Sequence, residues 1–293
     1  MRYIILTLTL LFSLSTYSQN EDIRLIGTVG TDGNQIKNVG DPTDAQDVVT
    51  KNYVDTQFYS QSQVNTIIAN LQSQIDDLTS SVSDQDGNTY NYLTYGDQVW
   101  TVENAEMITY RDGTPIPQRT YGLGTEWESL STGAWCYINN DPTKGRLYNW
   151  YAVMGKHDDD PNTPNKIFAP EGWHVPSDEE WTVLENYLIN NGYNYDGTTE
   201  ENKIAKAVAS TTGWNDGWNT AGPGYDQSTN NSSGFNALPV GGLGNLGIED
   251  PVGEIAIFYS SDLWHRYLGP NISSLNSGIN PAWEGFSVRF VKD

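Results

Sequence analysis

The residues best suited to chemistry in this chain are a single cysteine and three histidines. Cys136 is the one thiol, and His157, His174 and His265 are the imidazoles. A Cys-His nucleophile needs its base within hydrogen-bond reach of the sulfur, and no spacing here implies that contact. Zinc sites use clustered Cys and His, and these histidines are scattered. The sequence therefore predicts no catalytic residues of these kinds.

Carboxylates are the abundant ionisable groups. The chain has 37 acidic and 15 basic residues, for a formal net charge of −22. This balance argues against a nucleic-acid partner, which needs clustered Lys and Arg. Asp158, Asp159 and Asp160 are candidate ligands for calcium, which prefers oxygen donors, and a solvated acidic loop is the alternative. A pair of acids could also hydrolyse a glycan, but the sequence locates no such pair.

Aromatic residues supply the candidate binding surface. Ten Trp and 18 Tyr exceed what one core of this size needs, and exposed rings stack on sugar faces or fill protein hot spots. Trp214, Trp218 and Tyr225 lie in a Gly-, Asn- and Asp-rich stretch, 213–234, that is predicted to be a long loop. These three are the candidate ligand-binding residues. Burial of each ring in the core is the alternative.

The first 18 residues are typical of a secretory signal peptide. A short apolar run follows Met1 and Arg2 and gives way to small and polar residues. No later segment is apolar enough to span a membrane. The mature protein is therefore expected to be secreted, or held at the cell surface by a partner.

Residues 19–58 are predicted to form a short β-containing base, because they are polar, carry spaced glycines and include two short β-compatible runs. The piece at 33–55, with the sequence Gly-Asn-Gln-Ile-Lys-Asn-Val-Gly-Asp-Pro-Thr-Asp-Ala-Gln-Asp-Val-Val-Thr-Lys-Asn-Tyr-Val-Asp, resembles a repeat of phage tail fibres and bacterial trimeric fibre proteins. In those proteins the repeat leads a strand-rich shaft into a helical stalk.

Residues 59–83 carry the heptad pattern of a coiled coil. Apolar residues alternate at spacings of four and three, which is the seam of such a structure: Val64, Ile68, Leu71, Ile75, Leu78 and Val82. The seam composition alone favours two strands, whereas the fibre-like piece upstream favours three. We expect a trimer, with a dimer as the alternative. A single amphipathic helix folded on the C-terminal domain is a further reading.

The remaining residues, 84–293, are predicted to form one domain. Asp, Gly and Asn at 84–88 are expected to end the helix as a turn. Ser177 and Glu180 form the signature of a capping box, which predicts the start of a first helix. Trp181, Leu184 and Leu188 then fall on one face of that helix. A second helix is predicted around 199–209. Turns and short strands elsewhere indicate an α+β domain with two main helices and long loops.

Three motifs in fixed order support a family resemblance. They are Gly-Arg-Leu-Tyr-Asn-Trp-Tyr-Ala at 145–152, Gly-Trp-His-Val-Pro-Ser-Asp-Glu-Glu-Trp at 172–181 and Gly-Phe-Ser-Val-Arg-Phe at 285–290. The domain resembles the group related to C-type lectins and formylglycine-generating enzymes, and within it the Fibrobacter succinogenes major paralogous domain. The resemblance implies a secreted or surface-displayed module with a C-type-lectin-like core and no established activity. The motifs are expected to be structural, with His174 hydrogen-bonded inside its motif.

Departures from the family pattern concern cysteine. Members commonly carry one where Phe290 stands and another where Pro170 and Glu171 stand, so Cys136 has lost its usual partner. A buried thiol is expected, with an intermolecular disulfide as the alternative. Formylglycine chemistry needs two copper-binding cysteines, which excludes that activity here.

The sequence therefore predicts a non-enzymatic, secreted or surface-displayed oligomer that binds an extracellular glycan or protein. It needs no cofactor, although calcium is a candidate, and ligand contacts are expected in the loops at 157–165 and 213–234. One alternative is a structural component of an extracellular appendage or sheath. A second is a carboxylate-dependent glycan hydrolase.

Overall fold

A computed structural model describes residues 60–78, 80–122, 126–244 and 251–293. The chain divides into two compact units, Met1–Ile75 and Asp76–Asp293. The predicted signal peptide at 1–18 and the predicted base at 19–58 lie outside the described residues. Within the described ranges, none of the helices combines the length and apolarity that a bilayer crossing requires.

Helix α1, Gln61–Leu78, contains the described residues of the first unit apart from Ser60. Ser60 begins the helix, because its hydroxyl accepts from the Gln63 backbone N–H while its own N–H donates to the Gln63 side chain at 2.8 Å. On the predicted seam, Ile68 is 58% exposed and Leu71 is 53% exposed. Both apolar side chains thus face solvent in the single chain.

The prediction that the coiled coil extends through Val82 is wrong. The helix ends at Leu78, and Val82 lies in strand β1, Ser81–Ser83, paired with Tyr90. The turn at 84–88 therefore connects β1 to the next strand instead of ending a helix. Asp84 organises this turn, because its carboxylate accepts hydrogen bonds from the backbone of Asp86 and Asn88 and from the Tyr90 hydroxyl.

The second unit contains eleven described strands and three described helices that begin after residue 80. The remaining strands are β2 Thr89–Tyr95, β3 Gln98–Thr101, β4 Trp135–Tyr137, β5 Arg146–Asn149, β6 Trp173–His174, β7 Ala256–Tyr259, β8 Trp264–Leu268, β9 Asn276–Ile279, β10 Gly285–Phe286 and β11 Val291–Lys292. The helices are α2 Trp150–Val153, α3 Asp178–Asn190 and α4 Ala205–Val208. Short 3₁₀ turns occur at Glu126–Ser129, Ile138–Asn140 and Gln227–Thr229.

The strands form three antiparallel sheets. The largest has the order β1-β2-β3-β11-β6, so the strand latest in the sequence lies between β3 and β6. The other two have the orders β10-β5-β4 and β7-β8-β9. Sheets plus a few helices make this an α+β unit, as predicted from the sequence.

Helix α3 forms as its sequence predicts. The Ser177 hydroxyl accepts from the Glu180 N–H, and the Glu180 carboxylate accepts from the Ser177 N–H at 2.8 Å, which completes the capping box. Trp181, Leu184 and Leu188 are fully buried on its inner face. The sequence therefore located the one long helix of this unit within the described residues.

The second predicted helix, at 199–209, is largely wrong. Only Ala205–Val208 is helical, and α2 is equally short, so the unit has one main helix where two were expected. Glu201 adopts a positive φ of 61°, which interrupts a helix. The Asn202 side chain hydrogen-bonds the backbone of Leu275 on both sides, with its amide donating at 2.9 Å and its carbonyl accepting at 3.1 Å. Distant contacts thus fix this segment in a non-helical path.

A buried charge network fastens α3 to β8. The Arg266 side chain is 4% exposed, and its guanidinium contacts Asp178 and Glu185 at 2.5 Å each. It also donates to the Thr182 hydroxyl and the Asp178 carbonyl. Burial raises the pKa of Glu185 despite the opposing effect of Arg266. The first turn of α3 is acidic. The ion pairs with Arg266 thus hold this helix against the β7-β8-β9 sheet.

The family motif at 285–290 crosses between sheets. Phe286 pairs with Tyr148 in β5, and Ser287 bridges to Phe258 in β7. Arg289, which is 1% exposed, donates to the carbonyls of Thr101 and Phe235. The expected closing strand is therefore two short strands, β10 and β11, joined by a buried extended segment. The prediction that this motif is structural agrees with that arrangement.

Candidate functional site

Cys136 has the geometry of an inert core thiol. It is free and fully buried on β4, as expected. Burial raises the pKa of Cys136 to about 12, which keeps the sulfur protonated at neutral pH. A protonated, inaccessible thiol is a poor nucleophile and a poor metal ligand.

His174 is a satisfied histidine. Its Nδ1 lies 2.7 Å from an Asp293 oxygen, and its Nε2 lies 2.7 Å from a Glu180 oxygen. Burial lowers the pKa of His174, but the hydrogen bonds to Asp293 and Glu180 outweigh it, so the pKa is raised overall. The imidazole links β6 to the first turn of α3 and to the residue after β11, which is a structural role.

The acidic loop, residues 157–165, does not assemble a metal cage. The Asp158 carboxylate accepts from the Asp160 N–H, whereas the Asp160 carboxylate accepts from Asn162 and the Asp159 carboxylate from Ser131. In the described part of the chain, no three or more His, Cys, Asp or Glu side chains are grouped as a metal site would require. The three aspartates accept hydrogen bonds from within the loop and from Ser131, and calcium binding by them stays a prediction.

The acidic loop does border a groove. The groove has a volume of ≈ 210 Å³ and is bounded by α2 on one side, where Trp150 and Tyr151 lie, and by His157 and Asp158 on the other. Lys156 lies over the Tyr151 ring at 5.5 Å. Aromatic rings beside polar groups suit a small polar ligand, and ligand binding at this loop stays a prediction.

The tryptophan loop, residues 213–234, separates the three candidate aromatic residues. Trp218 is 80% exposed and Tyr225 is 45% exposed, so both rings are available to a ligand. Trp214 is only 4% exposed and belongs to the core cluster that contains Phe235 and Leu268. The prediction that Trp214 binds a ligand is therefore wrong, because its ring is packed inside the unit.

Asn271 anchors the exposed tryptophan. Its side-chain oxygen accepts hydrogen bonds from the backbone N–H groups of Trp218, at 2.7 Å, and Asn219, at 3.2 Å. The Asn219 side chain donates in return to the Asn271 carbonyl at 2.8 Å. The backbone at Trp218 and Asn219 is therefore held in place by Asn271.

Glycines bring the tryptophan loop against Pro270. Gly217 donates to the Gly224 carbonyl at 3.1 Å, and Gly224 donates to the Pro270 carbonyl at 2.9 Å. A Cβ on Gly217 would lie 2.6 Å from the Pro270 oxygen, and one on Gly222 would lie closer still. Glycine is thus required here by close backbone approach.

Lys206 is a buried lysine that binds backbone carbonyl groups of the tryptophan loop. It is 8% exposed, and its ammonium donates to the carbonyl oxygens of Tyr225, Gly222 and Asp226. Burial lowers the pKa of Lys206, although Asp226 opposes this. Neither Lys206 nor Asn271 stood out in the sequence, because each acts on a segment distant along the chain.

Two glutamates share another groove, of ≈ 290 Å³, which bears on the hydrolase alternative. Burial raises the pKa of Glu106 despite the adjacent Arg146, with which Glu106 forms an ion pair. Both oxygens of Glu103 accept from Asn91, at 2.7 Å each. Each carboxylate is thus committed to a protein partner.

Fold and site together define an α+β domain that presents an exposed aromatic ring on a rigidly anchored loop. The chain belongs to the Fibrobacter succinogenes major domain family, whose model matches residues 93–292. The family prediction from the three motifs is therefore confirmed. No curated protein and no solved structure matches the chain significantly.

Proposed function

We propose that this protein is a secreted or surface-displayed oligomeric binding protein that captures an extracellular glycan or protein through Trp218. The observation that carries the proposal is an indole that is 80% exposed on an anchored backbone. An exposed tryptophan of this kind offers a large apolar face at low entropic cost, because the loop is ordered before the ligand arrives.

The proposal also assigns a role to each of the other parts of the chain. Residues 1–18 direct export, the base at 19–58 and the coiled coil beginning at 59 form a trimeric stalk, and the C-terminal unit is a C-type-lectin-like head. Exposed Ile68 and Leu71 support the stalk, since a coiled-coil partner would bury them. Three weak sites on one stalk gain avidity from effective concentration.

The proposal includes no catalytic activity and no cofactor. Its support is the chemical state of the reactive groups: the thiol is buried and protonated, and Glu103 and Glu106 are each held by a protein partner. Hydrolysis of a polysaccharide by the purified protein, lost on Glu106→Gln, would contradict this part of the proposal.

A glycan array tests the binding function, with the mature protein compared against Trp218→Ala. Removal of an anchoring tryptophan costs about 2 kcal/mol, which is more than tenfold in affinity. Tyr195→Ala is the matched control, because Tyr195 is 50% exposed and lies outside the tryptophan loop. Equal binding by Trp218→Ala and the native protein would refute the assignment of the ring.

The structural alternative makes a different prediction. An appendage or sheath component would bind no soluble ligand and would self-associate beyond a trimer, whereas a displayed binding protein forms a defined trimer. Light scattering of the mature protein and of a truncation that begins at Ser80 separates the two. A monomeric mature protein would rule out the stalk.

A further inference from the structure

A third groove lies on the β7-β8-β9 sheet, outside the tryptophan loop. Its volume is ≈ 480 Å³, and four isoleucines lie among its described lining residues. The isoleucines that border it are Ile255, Ile257, Ile272 and Ile279. An aliphatic lining of this size suits the hydrocarbon portion of a small ligand.

His265 borders one part of this groove. It is 5% exposed, and its Nδ1 has no hydrogen-bond partner among the described residues. Burial, with a contribution from Arg266, lowers the pKa of His265 to about 4, so the ring is neutral at physiological pH. Gly278 pairs with His265, and a Cβ there would lie 2.8 Å from both Cε1 and Nε2. Glycine therefore allows the ring to pack closely against the β9 backbone.

Glu254 supplies the charge of the groove. Among the described residues that line it, Glu254 is the one carboxylate, and His265 is neutral at physiological pH. One Glu254 oxygen accepts from the Asn215 side chain at 2.7 Å, which holds the carboxylate in place. None of the described lining residues is a lysine or an arginine, either of which would compete with a cationic ligand.

The two polar groups lie at opposite ends. Glu254 precedes β7, whereas His265 pairs with Tyr259, the last residue of that strand. Since a strand rises about 3.3 Å per residue, the ends are separated by roughly 10 Å or more. Tyr267 lies between them, paired with Ile257. Its ring can attract a cation by its π face.

We propose that this groove binds a primary alkylammonium group, from either a free aliphatic amine or a lysine side chain. The ammonium lies at Glu254, and the aliphatic stem runs over Tyr267 and the isoleucines toward His265. The orientation follows from charge, because Glu254 is the carboxylate at one end of the groove and attracts a cation there. An anionic ligand is disfavoured by Glu254 and by the net charge of −22.

The proposal is independent of the tryptophan loop and of the proposed glycan binding. Asn215, which holds Glu254, belongs to that loop, but Trp218 does not line the groove. Trp218→Ala should therefore leave amine binding unchanged.

Nuclear magnetic resonance titration of the mature protein with n-hexylamine and n-hexanol tests the charge. The two probes share a stem and differ in the ammonium, so hexylamine should bind at least fivefold more tightly. It should shift the resonances of Tyr267 and Ile257. Equal affinities, no binding of hexylamine, or shifts that avoid this sheet would overturn the proposal.

Variants localise the interaction. Glu254→Gln should abolish the preference for hexylamine over hexanol, and Tyr267→Leu should weaken hexylamine severalfold. Glu179→Gln, an exposed carboxylate on α3, is the matched control and should change neither affinity. A hexylamine preference that survives Glu254→Gln would also overturn the proposal.

N-acetyl-lysine methylamide distinguishes the two sources of the alkylammonium group. If it binds as tightly as hexylamine, a lysine side chain is the ligand. If it binds much more weakly, a free amine is the ligand.

Discussion

Loss of Arg266 should destabilise the C-terminal unit more than the loss of any exposed charge. Its guanidinium contacts Asp178 and Glu185 at 2.5 Å, with a side chain that is 4% exposed. Arg266→Met preserves the aliphatic stem and removes the charge, which leaves two carboxylates without their cation. Breaking a buried ion pair from one side costs about 3 kcal/mol or more. The folded-to-unfolded ratio should fall by roughly 100-fold.

Urea denaturation monitored by tryptophan fluorescence measures this loss. With an m-value of about 3 kcal/mol per M, the midpoint should fall by about 1 M. Lys203→Met is the control, because that ammonium contacts Asp196 and Glu201 at the surface, where ion pairs contribute little. A change for Arg266→Met no larger than that for Lys203→Met would refute the reasoning.

The same variant should show a characteristic pH dependence. Burial already raises the pKa of Glu185, and removal of Arg266 removes the effect that opposes it. A carboxyl whose folded-state pKa is raised destabilises the protein above its unfolded pKa, and this penalty disappears as the carboxyl becomes protonated. The deficit of Arg266→Met should therefore be largest at neutral pH and shrink as the pH falls. A deficit independent of pH would contradict the assignment to Glu185.

Further expected outcomes concern four other side chains. Trp218→Ala should leave the thermal midpoint unchanged, because the ring is 80% exposed, while glycan-array binding is lost. Ser177→Ala removes the cap of α3 and should cost about 1 kcal/mol by denaturation, whereas Ser177→Asp should retain most of the stability. Cys136 should not react with a thiol reagent at pH 8 until denaturant is added, because it is fully buried and its pKa is raised to about 12. The lowered pKa of His265, about 4, means that the unfolded chain takes up a proton below pH 6.5 while the folded protein does not. Native stability should therefore fall between pH 6.5 and about pH 4, and His265→Gln should flatten this dependence.

Local signals in the sequence were sufficient for some elements. The capping box at Ser177 and the buried face that begins at Trp181 depend on residues three to seven positions apart, and both formed as predicted. The α+β class and the family also followed from the sequence, because the three motifs keep their order. These features depend on composition and spacing within short segments.

Features that depend on strand pairing and on tertiary packing were not predictable. Val82 continued the heptad spacing, yet pairing with Tyr90 places it in a strand. Trp214 and Trp218 share one Gly- and Asn-rich stretch, but one ring is buried and the other is 80% exposed. The difference arises from core packing and from Asn271, which is 53 residues from Trp218. No spacing within the stretch encodes that outcome.

The position of β11 between β3 and β6 has a consequence for how this unit folds. The Phe290 N–H donates to the Thr101 hydroxyl across 189 residues, and Arg289 reaches the Thr101 carbonyl across 188. During synthesis, which starts at the N-terminus, the edge of β3 stays unpaired until these late residues have been made. Contacts of such sequence separation slow folding and leave an unpaired strand edge available to other chains. The unit should therefore be most prone to association with other chains before Val291 pairs with Trp100.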